Sequence, residues 1–358
     1  MMEALDAQIL HALKLAPRVP FRRLAAAIGV PEQTVARRYY RLRRAGVMRV
    51  VGLVNPVVYG NARWVARIHT KPDRIRTLAE ALVRRSEVTY VNVASDWTEL
   101  VCIIHAPVGE APDDVLLQQL PRSASVLDIN VDLLLHTFGT TMTSASGYGH
   151  TWTGYGPKLT GEQTGRILAA LPGRPSTGHP ITPTAQDRPL LDALAEDGRA
   201  PLAVLAERSG WSPARVARRI AALEASGTLL YDVELLPERL GYRVNAMLWL
   251  TVAPRHLHSV GEQIAVHDEI AFAAAVSGRN NLIAVAICQD ADDLYRYLTE
   301  HLAAIDHIRT YEVSIRTQRL KQAASLVSHG RLFNPTAAAR STRPQHPAAP
   351  AAEHSPTA

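Results

Sequence analysis

Arg37, Arg38, Arg41, Arg43 and Arg44 fall within eight consecutive residues, a few positions after Gln33 and Thr34. Guanidinium groups neutralise phosphates and pair with guanine edges, and an amide such as that of Gln33 suits adenine. In the same stretch Val35, Ala36, Tyr39 and Leu42 recur at spacings of one, three and three, the pattern of a helix with one apolar face. With that face against a core, Gln33, Thr34, Arg37, Arg38 and Arg41 are expected on the outward side. Arg44, and Arg22 and Arg23 from the preceding helical pattern, are expected to reach phosphates. A solvated helix also carries arginines, but the charge here has one sign. Residues 5–50 hold ten Lys or Arg against two Asp or Glu, which points to double-stranded DNA.

The elements that must position these groups are short. Ile9, Leu10 and Leu13 mark one apolar stripe and Leu24 with Ile28 a second, before a break at Gly29-Val30-Pro31. Gly46 stops the third helix. Helix, glycine break and helix form a helix-turn-helix, with small Ala25 where two helices pack closely. Val47–Leu53 then reads as a strand, consistent with a wing. Beyond it the periodicity gives strand Ala62–Thr70, helix Pro72–Arg85 with Ile75, Leu78 and Leu82 inward, and strands Glu87–Ala94 and Glu99–Ala106. Helix Ala111–Leu120 and strand Ser125–Thr137 complete the unit. The order β-α-β-β-α-β predicts a ferredoxin-like sandwich, so the class is α+β, a winged helix-turn-helix followed by that sandwich.

The unit occurs twice. Shifted by 181 positions, Leu10–Gly46 lies on Leu191–Gly227 without a gap, and 14 of 37 positions are identical, including Arg18/Arg199, Gly29/Gly210 and Arg37-Arg38/Arg218-Arg219. The second head is electrically different: residues 187–232 carry six Lys or Arg and seven acids. Its Arg215, Arg218 and Arg219 would add a few contacts, while Ala222 and Glu224 replace Arg41 and Arg43. Between the copies, 27 of the 48 residues 139–186 are Gly, Ser, Thr or Pro, a linker. Within it, Thr160 and Gln163 form a capping box ahead of Ile167, Leu168 and Leu171, predicting a short docked helix. The domains expected are thus 5–54 and 187–235 for the two heads and 55–138 and 236–320 for the two sandwiches. The linker is 139–186, and 331–358, rich in proline and alanine, reads as a disordered tail.

A helix-turn-helix, a strand leading to Asn55-Pro56 and a β-α-β-β-α-β domain together resemble the Lrp/AsnC (feast/famine) transcriptional regulators. The resemblance covers about 5–138 and again 187–320, as in a tandem member. It implies DNA binding, a small-molecule effector of amino-acid-like chemistry, and pairing of the two sandwiches as an intramolecular pseudo-dimer that can assemble further. In the family the effector loop joins the second and third strands and reads roughly Gly-Asp-Tyr-Asp. Here it reads Ser95-Asp96-Trp97-Thr98 and Gly278-Arg279-Asn280-Asn281, so Asp96 is the side chain suited to an amino group and Arg279 to a carboxylate.

Other chemistry finds little support. Cys102 and Cys288 sit inside apolar strands and read as core. His69 and His105 lack a paired ligand at metal spacing, and no phosphate loop or nucleophile triad presents itself, so neither cofactor, metal nor catalysis is expected. Sirohaem decarboxylases reuse this scaffold, but neither Tyr90–Leu100 nor Phe272–Leu282 carries the histidine they favour, and only Asn281-Leu282 echoes their motif. That enzyme is the alternative. With Glu3 and Asp6 preceding any Lys or Arg, and no apolar run of about 18 residues, a cytoplasmic protein without a membrane span is expected.

Overall fold

The computed structural model describes residues 3–109, 120, 125–139, 152–169 and 180–334. Apart from Leu120, the helix expected over Ala111–Leu120 lies outside the described residues, as does the expected tail beyond Asn334. Copy one runs through α1 (Ala4–Leu15), α2 (Phe21–Ile28), α3 (Glu32–Arg44), β1 (Met48–Val54), β2 (Asn61–Thr70), α4 (Ile75–Val83), β3 (Val88–Ala94), β4 (Glu99–Pro107) and β5 (Val126–Thr137). The connection holds α5 (Gly161–Leu168). Copy two follows with α6 (Arg188–Glu196), α7 (Leu202–Ser209), α8 (Pro213–Ala225), β6 (Leu229–Leu235), β7 (Val244–Val252), α9 (Leu257–Ala265), β8 (Ile270–Val276), β9 (Leu282–Cys288), α10 (Ala291–Arg296) and β10 (Ile308–Gln322). A terminal hairpin, β11 (Ser325–Ser328) and β12 (Arg331–Phe333), ends the described chain. Among the described residues no helix is long and apolar enough to cross a membrane.

The apolar stripes do what their spacing requires. Ile9, Leu10, Leu13, Leu24, Val35, Tyr39 and Leu42 are buried in one core, and Gly29 closes α2 in the left-handed region at φ +74°. Gly210 repeats this for α7 at +70°. One expectation about α3 is corrected. Arg38 does not face outward: its guanidinium lies 3.2 Å from Asp6 and 2.7 Å from Glu3 of α1, and its side chain is only 18% exposed. Arg219 of α8 does the same to Asp187, with both nitrogens at 2.7 Å. Asp6 and Asp187 are 181 apart, as are the two arginines, and both carboxylates are buried. The guanidinium flanks the apolar face, where the first helix of each head crosses, and a buried carboxylate there turns it inward. Arg219 in turn helps hold the Asp187 carboxyl at about 2.

The two heads meet on a pseudo-twofold axis. The strand read as a wing forms, but β1 pairs antiparallel with its own repeat, β6, rather than with a hairpin arm. Val51 faces Asp232, positions 181 apart, so the axis passes between them. Arg18 donates to the carbonyls of Gly198 and Ala200, and Arg199 reciprocates to those of Pro17 and Val19. Gly198 is required there, since a Cβ would stand 2.9 Å from the Val51 carbonyl carbon. Asn55 donates to the Gly227 carbonyl, tying the end of β1 to the other copy. In the connection, the Thr160/Gln163 capping box forms and Ile167 is buried, while Trp152, Tyr155 and Leu159 complete the core of the first head. Leu168 stays exposed, and Leu171 lies outside the described residues.

The sandwiches join into a closed ring. Strand order is β3-β4-β2-β5-β8-β9-β7-β10, and β10 returns to pair with β3. Each copy's second strand therefore pairs with the other's fourth. Helix α4 covers one sheet and α9 with α10 the other. Between the sheets lie Val65, Val101, Leu134, Trp249, Ala274, Val276 and Ile283. The boundary expected at 320 is also corrected. β10 continues to Gln322, and the hairpin folds back on the first head, where the Leu332 amide donates to the Gly46 carbonyl at 2.8 Å. The tail expected from 331 thus begins as a strand, because its backbone finds partners.

Two predictions follow from this packing. Arg219→Ala should cost about 3 kcal/mol, because it removes the only cation that, among the described residues, pairs with the buried Asp187 carboxylate. Arg38→Ala should cost less, about 1–2 kcal/mol, because Arg41 still reaches Asp6, whereas Arg37→Ala should leave stability unchanged. Chemical denaturation checks this, and equal effects of Arg37→Ala and Arg38→Ala would remove the clamp. The second concerns Asp232, buried on the axis with one oxygen unpartnered and the other bonded to the Tyr90 hydroxyl. Burial pushes its carboxyl up to about 7, with Lys14 and Tyr90 pulling the other way. A folded-state value above the unfolded one means that its contribution is intact near pH 4 and is lost as pH rises through 7. Lys14, lowered by burial to about 7, gains in the separate window from 7 upward. Between pH 5 and 7, Asp232→Asn should therefore gain about 2 kcal/mol relative to the parent; parallel stability curves would exclude Asp232 as the titrating group.

Candidate nucleic-acid interface and effector loops

With Arg38 withdrawn, the outer face of α3 is smaller than its sequence suggests. Gln33, Arg37, Arg41 and Arg44 are exposed and Thr34 is half-buried. Arg41 is shared: its Nη2 lies 2.5 Å from Asp6 Oδ2, yet about half of its side chain is exposed. Arg44 donates from Nε to the Tyr40 carbonyl within its own helix. Arg22 and Arg23 are exposed on α2. Arg43 points the other way, 2.7 Å from Asp197 of the second head. The last turn of α3 therefore faces the axis, and its first turns carry the groups left to meet a duplex.

The second head presents less. Arg215 and Arg218 are exposed on α8, but Arg215 lies over the Trp211 ring at 4.1 Å and reaches Gln186. Arg219 is the clamp. Glu224 is half-buried, accepts from the Tyr231 hydroxyl at 2.8 Å and faces Arg18, so it fills the place Arg43 holds in the first head.

The two effector loops are built into the ring junctions. The Ser95 amide donates to the Ile315 carbonyl and, 182 positions later, the Ser277 amide donates to that of Leu133. Each loop thus sits on the fourth strand of the other copy. Ser95, Asp96 and Trp97 all have positive φ, at 48°, 53° and 65°. Several residues expected to bind an effector are committed to the fold instead. Ser95 donates to the buried Glu99, Thr98 donates to the Ser95 carbonyl, and Trp97 lies against Arg76. Asn281 bridges the backbone of Val252, accepting from its amide and donating to its carbonyl, and Asn280 reaches Trp249 and Thr251. Gly278 abuts Asp132, whose carboxylate a Cβ would strike at 2.2 Å. These corrections share one cause: a tight turn must satisfy its own backbone, and the nearest polar side chains do so. Asp96 and Arg279 remain exposed.

Other groups settle differently. Cys102 and Cys288 are buried, and burial pushes both thiols up to about 12. Burial pulls His105 down to about 4. One cluster went unread in the sequence: His136 of β5 and His258 and Glu262 of α9 bring ligand atoms within 4.8 Å of one another, all exposed. The i, i+4 spacing of His258 and Glu262 was the available signal; the third member comes from the other copy.

Comparison with known proteins places these elements. The family model for the AsnC-type helix-turn-helix domain matches residues 2–43 and 184–224, and that for the Lrp/AsnC ligand binding domain matches 245–326. The HTH-type transcriptional regulator LrpA of Pyrococcus abyssi is 28% identical over 137 residues, 38% of this chain and 97% of its own length. Regulatory protein AsnC of Escherichia coli K12 is 25% identical over 134 residues, 37% of this chain and 88% of that one. Both relatives are about one copy long. Across both copies, the siroheme decarboxylase NirDL superposes with a TM-score of 0.57 at 13% identity, covering 87% of this chain and 93% of that one, a likeness of fold. The chain thus carries the AsnC-type helix-turn-helix domain twice and an Lrp/AsnC ligand binding domain, a tandem arrangement of the domains of the Lrp/AsnC transcription regulators to which it is similar.

Proposed function

We propose that the protein is a sequence-specific DNA-binding transcription regulator, acting in the cytoplasm, in which the first head supplies most of the DNA contacts. The observation that carries this reading is the exposed face of α3. Gln33 and Arg37 stand free of the head's core for base edges, and Arg22, Arg23, Arg41 and Arg44 flank them for phosphates. The near-neutral second head, with Arg215 and Arg218, adds weaker contacts, so the operator is asymmetric. A small, amino-acid-like effector acts at the ring junctions through Asp96 and Arg279, the exposed members of the two loops, and biases the placement of the heads. Further assembly of these pseudo-dimers belongs to the same reading.

Selection of bound fragments from random DNA gives the operator, and fluorescence anisotropy then measures affinity. Arg37→Ala should weaken binding at least tenfold and Arg218→Ala less than threefold; the reverse order overturns the assignment of heads. Log affinity should fall with log salt with a slope of about −4 or steeper, as about four to five neutralised phosphates require. A flat dependence removes α3 as the contact surface.

A second reading, an enzyme acting on a tetrapyrrole, is favoured by the two-copy architecture shared with NirDL. It predicts a Soret-type absorption band on adding iron uroporphyrin and no salt-sensitive DNA binding.

A further inference from the structure

The ring is not filled throughout. A cleft of about 880 Å³, counting the part open to solvent, lies between the two sheets. Its walls are made in pairs 182 positions apart: Tyr90 with Phe272, Val101 with Ile283, and Ile103 with Val285. This apolar frame follows the pseudo-twofold symmetry. The polar groups do not. Arg316 stands opposite Leu134, its repeat equivalent, and Arg63 opposite Asn245. A shift of register in β10 between Arg316 and Gln318 breaks the alternation of the strand and brings Arg319 onto the same inner face as Arg316. The lining therefore contains three arginines and no carboxylate. Asn245, 3% exposed, has its Nδ2 unpartnered, and so is Oδ1 of Asn92; both line the cleft. Asn245 is thus a buried donor that a bound anion would satisfy, and Arg316 and Arg319 share one carboxylate, that of Glu238, so an anion also relieves their mutual repulsion.

We infer that this cleft is a binding site for a small amphipathic carboxylate, its apolar body between the paired walls and its acid group on Arg316 and Arg319. The site differs from the two loops at the ring junctions. It also has a built-in competitor. Arg316 pairs with Glu238, in the turn that follows β6. Arg319 donates to the Leu235 carbonyl at 3.0 Å and lies 3.9 Å from Glu238. Tyr90 bonds Asp232 on the axis between the heads. The groups that would grip the ligand thus hold the turn after β6 when the cleft is empty. Leu235 and Leu240, on either side of Glu238, pack into the core of the first head, so capture of Arg316 by a ligand carboxylate releases Glu238 at the joint between the heads. Burial beside Arg319 pulls Arg316 down to about 9, which leaves it charged at neutral pH.

The probe is 8-anilinonaphthalene-1-sulfonate, an anion on an apolar frame, titrated into the full chain by fluorescence. One saturable site is expected, displaced by octanoate and not by octanol. Arg316→Gln should weaken binding at least tenfold. Glu238→Gln, which removes the competing carboxylate, should tighten it at least threefold, a gain that a misfolding variant would not give as single-site, octanoate-displaceable binding. Ile283→Trp, which fills the cleft, should abolish the signal, and Arg309→Gln, at an exposed position that does not line the cleft, should leave it unchanged. Unaltered affinity in Arg316→Gln, no gain in Glu238→Gln, or displacement by octanol as readily as by octanoate overturns the proposal. So does stoichiometric uptake of iron uroporphyrin that octanoate cannot compete, which would make the cleft a tetrapyrrole site. These readouts need no DNA. The coupling to the heads rests on the regulator reading and is tested apart, as a shift in operator affinity with octanoate that disappears in Arg316→Gln.

Discussion

The contact on which the rest depends is the antiparallel pairing of β1 with β6 through Val51 and Asp232. A strand that follows a helix-turn-helix has an unpaired edge, and here each copy covers the edge of the other. This fixes the axis, and the axis fixes where everything else can go. Arg18 and Arg199 can exchange carbonyls only because the loops that bear them meet across it. Gly198 must be glycine because the opposing backbone passes at contact distance. The same axis runs on to the sandwiches, whose eight strands close into a ring with no free edge between copies. Closure removes the template for pairing with other chains that an open four-stranded sheet would expose. It also places the cleft on the symmetry axis.

Much of this was legible in the residues because it is local. Apolar spacing of three and four gave the helices, Gly29 and Gly210 marked the turns, and the offset of 181 exposed the duplication. What was not legible is which partner a polar side chain finds. Arg38 and Arg37 are neighbours on one helix, and only the position of α1 decides that one faces Asp6 and the other solvent. The repeat carried a trace of this, since Asp6 and Asp187 recur in register with Arg38 and Arg219 although acids are scarce in the first head. Asn281 is a similar case: it falls in the effector loop of the second copy, and only the position of Val252 makes it a brace for that strand. The hairpin after β10 escaped notice because Ser325–Ser328 and Arg331–Phe333 are too short to show a period, and their stability comes from the Gly46 carbonyl and the buried Glu234. The strand after each head was legible, but its partner in the other copy was not, because a strand's own pattern does not name its neighbour.

The copies diverge unevenly. Along the apolar walls the equivalent positions stay alike in character, as in Val101 with Ile283 and Ile103 with Val285, whereas on the axis itself Val51 faces Asp232. Charge changes freely on the outer faces. Arg43 pairs with Asp197 on one side, and on the other Glu224 pairs with Tyr231 near Arg18, so the same two joints are closed by interactions of different sign. Substitution on one side therefore need not be matched on the other.

That freedom is what a single chain offers over two identical ones. In a symmetric dimer the equivalent of Arg316 would stand where Leu134 does, and a ligand on the axis would meet the same charge at both ends. Each of two like charges across a narrow apolar cleft would need its own counter-ion, and a ligand with one acid group could satisfy only one of them. With Arg63 beside Leu134 at one end and Arg316 with Arg319 beside Asn245 at the other, the two ends differ in charge, so a ligand with one acid group has a preferred orientation. The Arg316 end is also the end tied to Glu238 and Leu235, and Leu235 packs with Trp152, Tyr155 and Ile167 in the core of the first head. An asymmetric pocket is therefore joined to the heads at that end, through the segment that follows β6 and the core it shares with α1–α3.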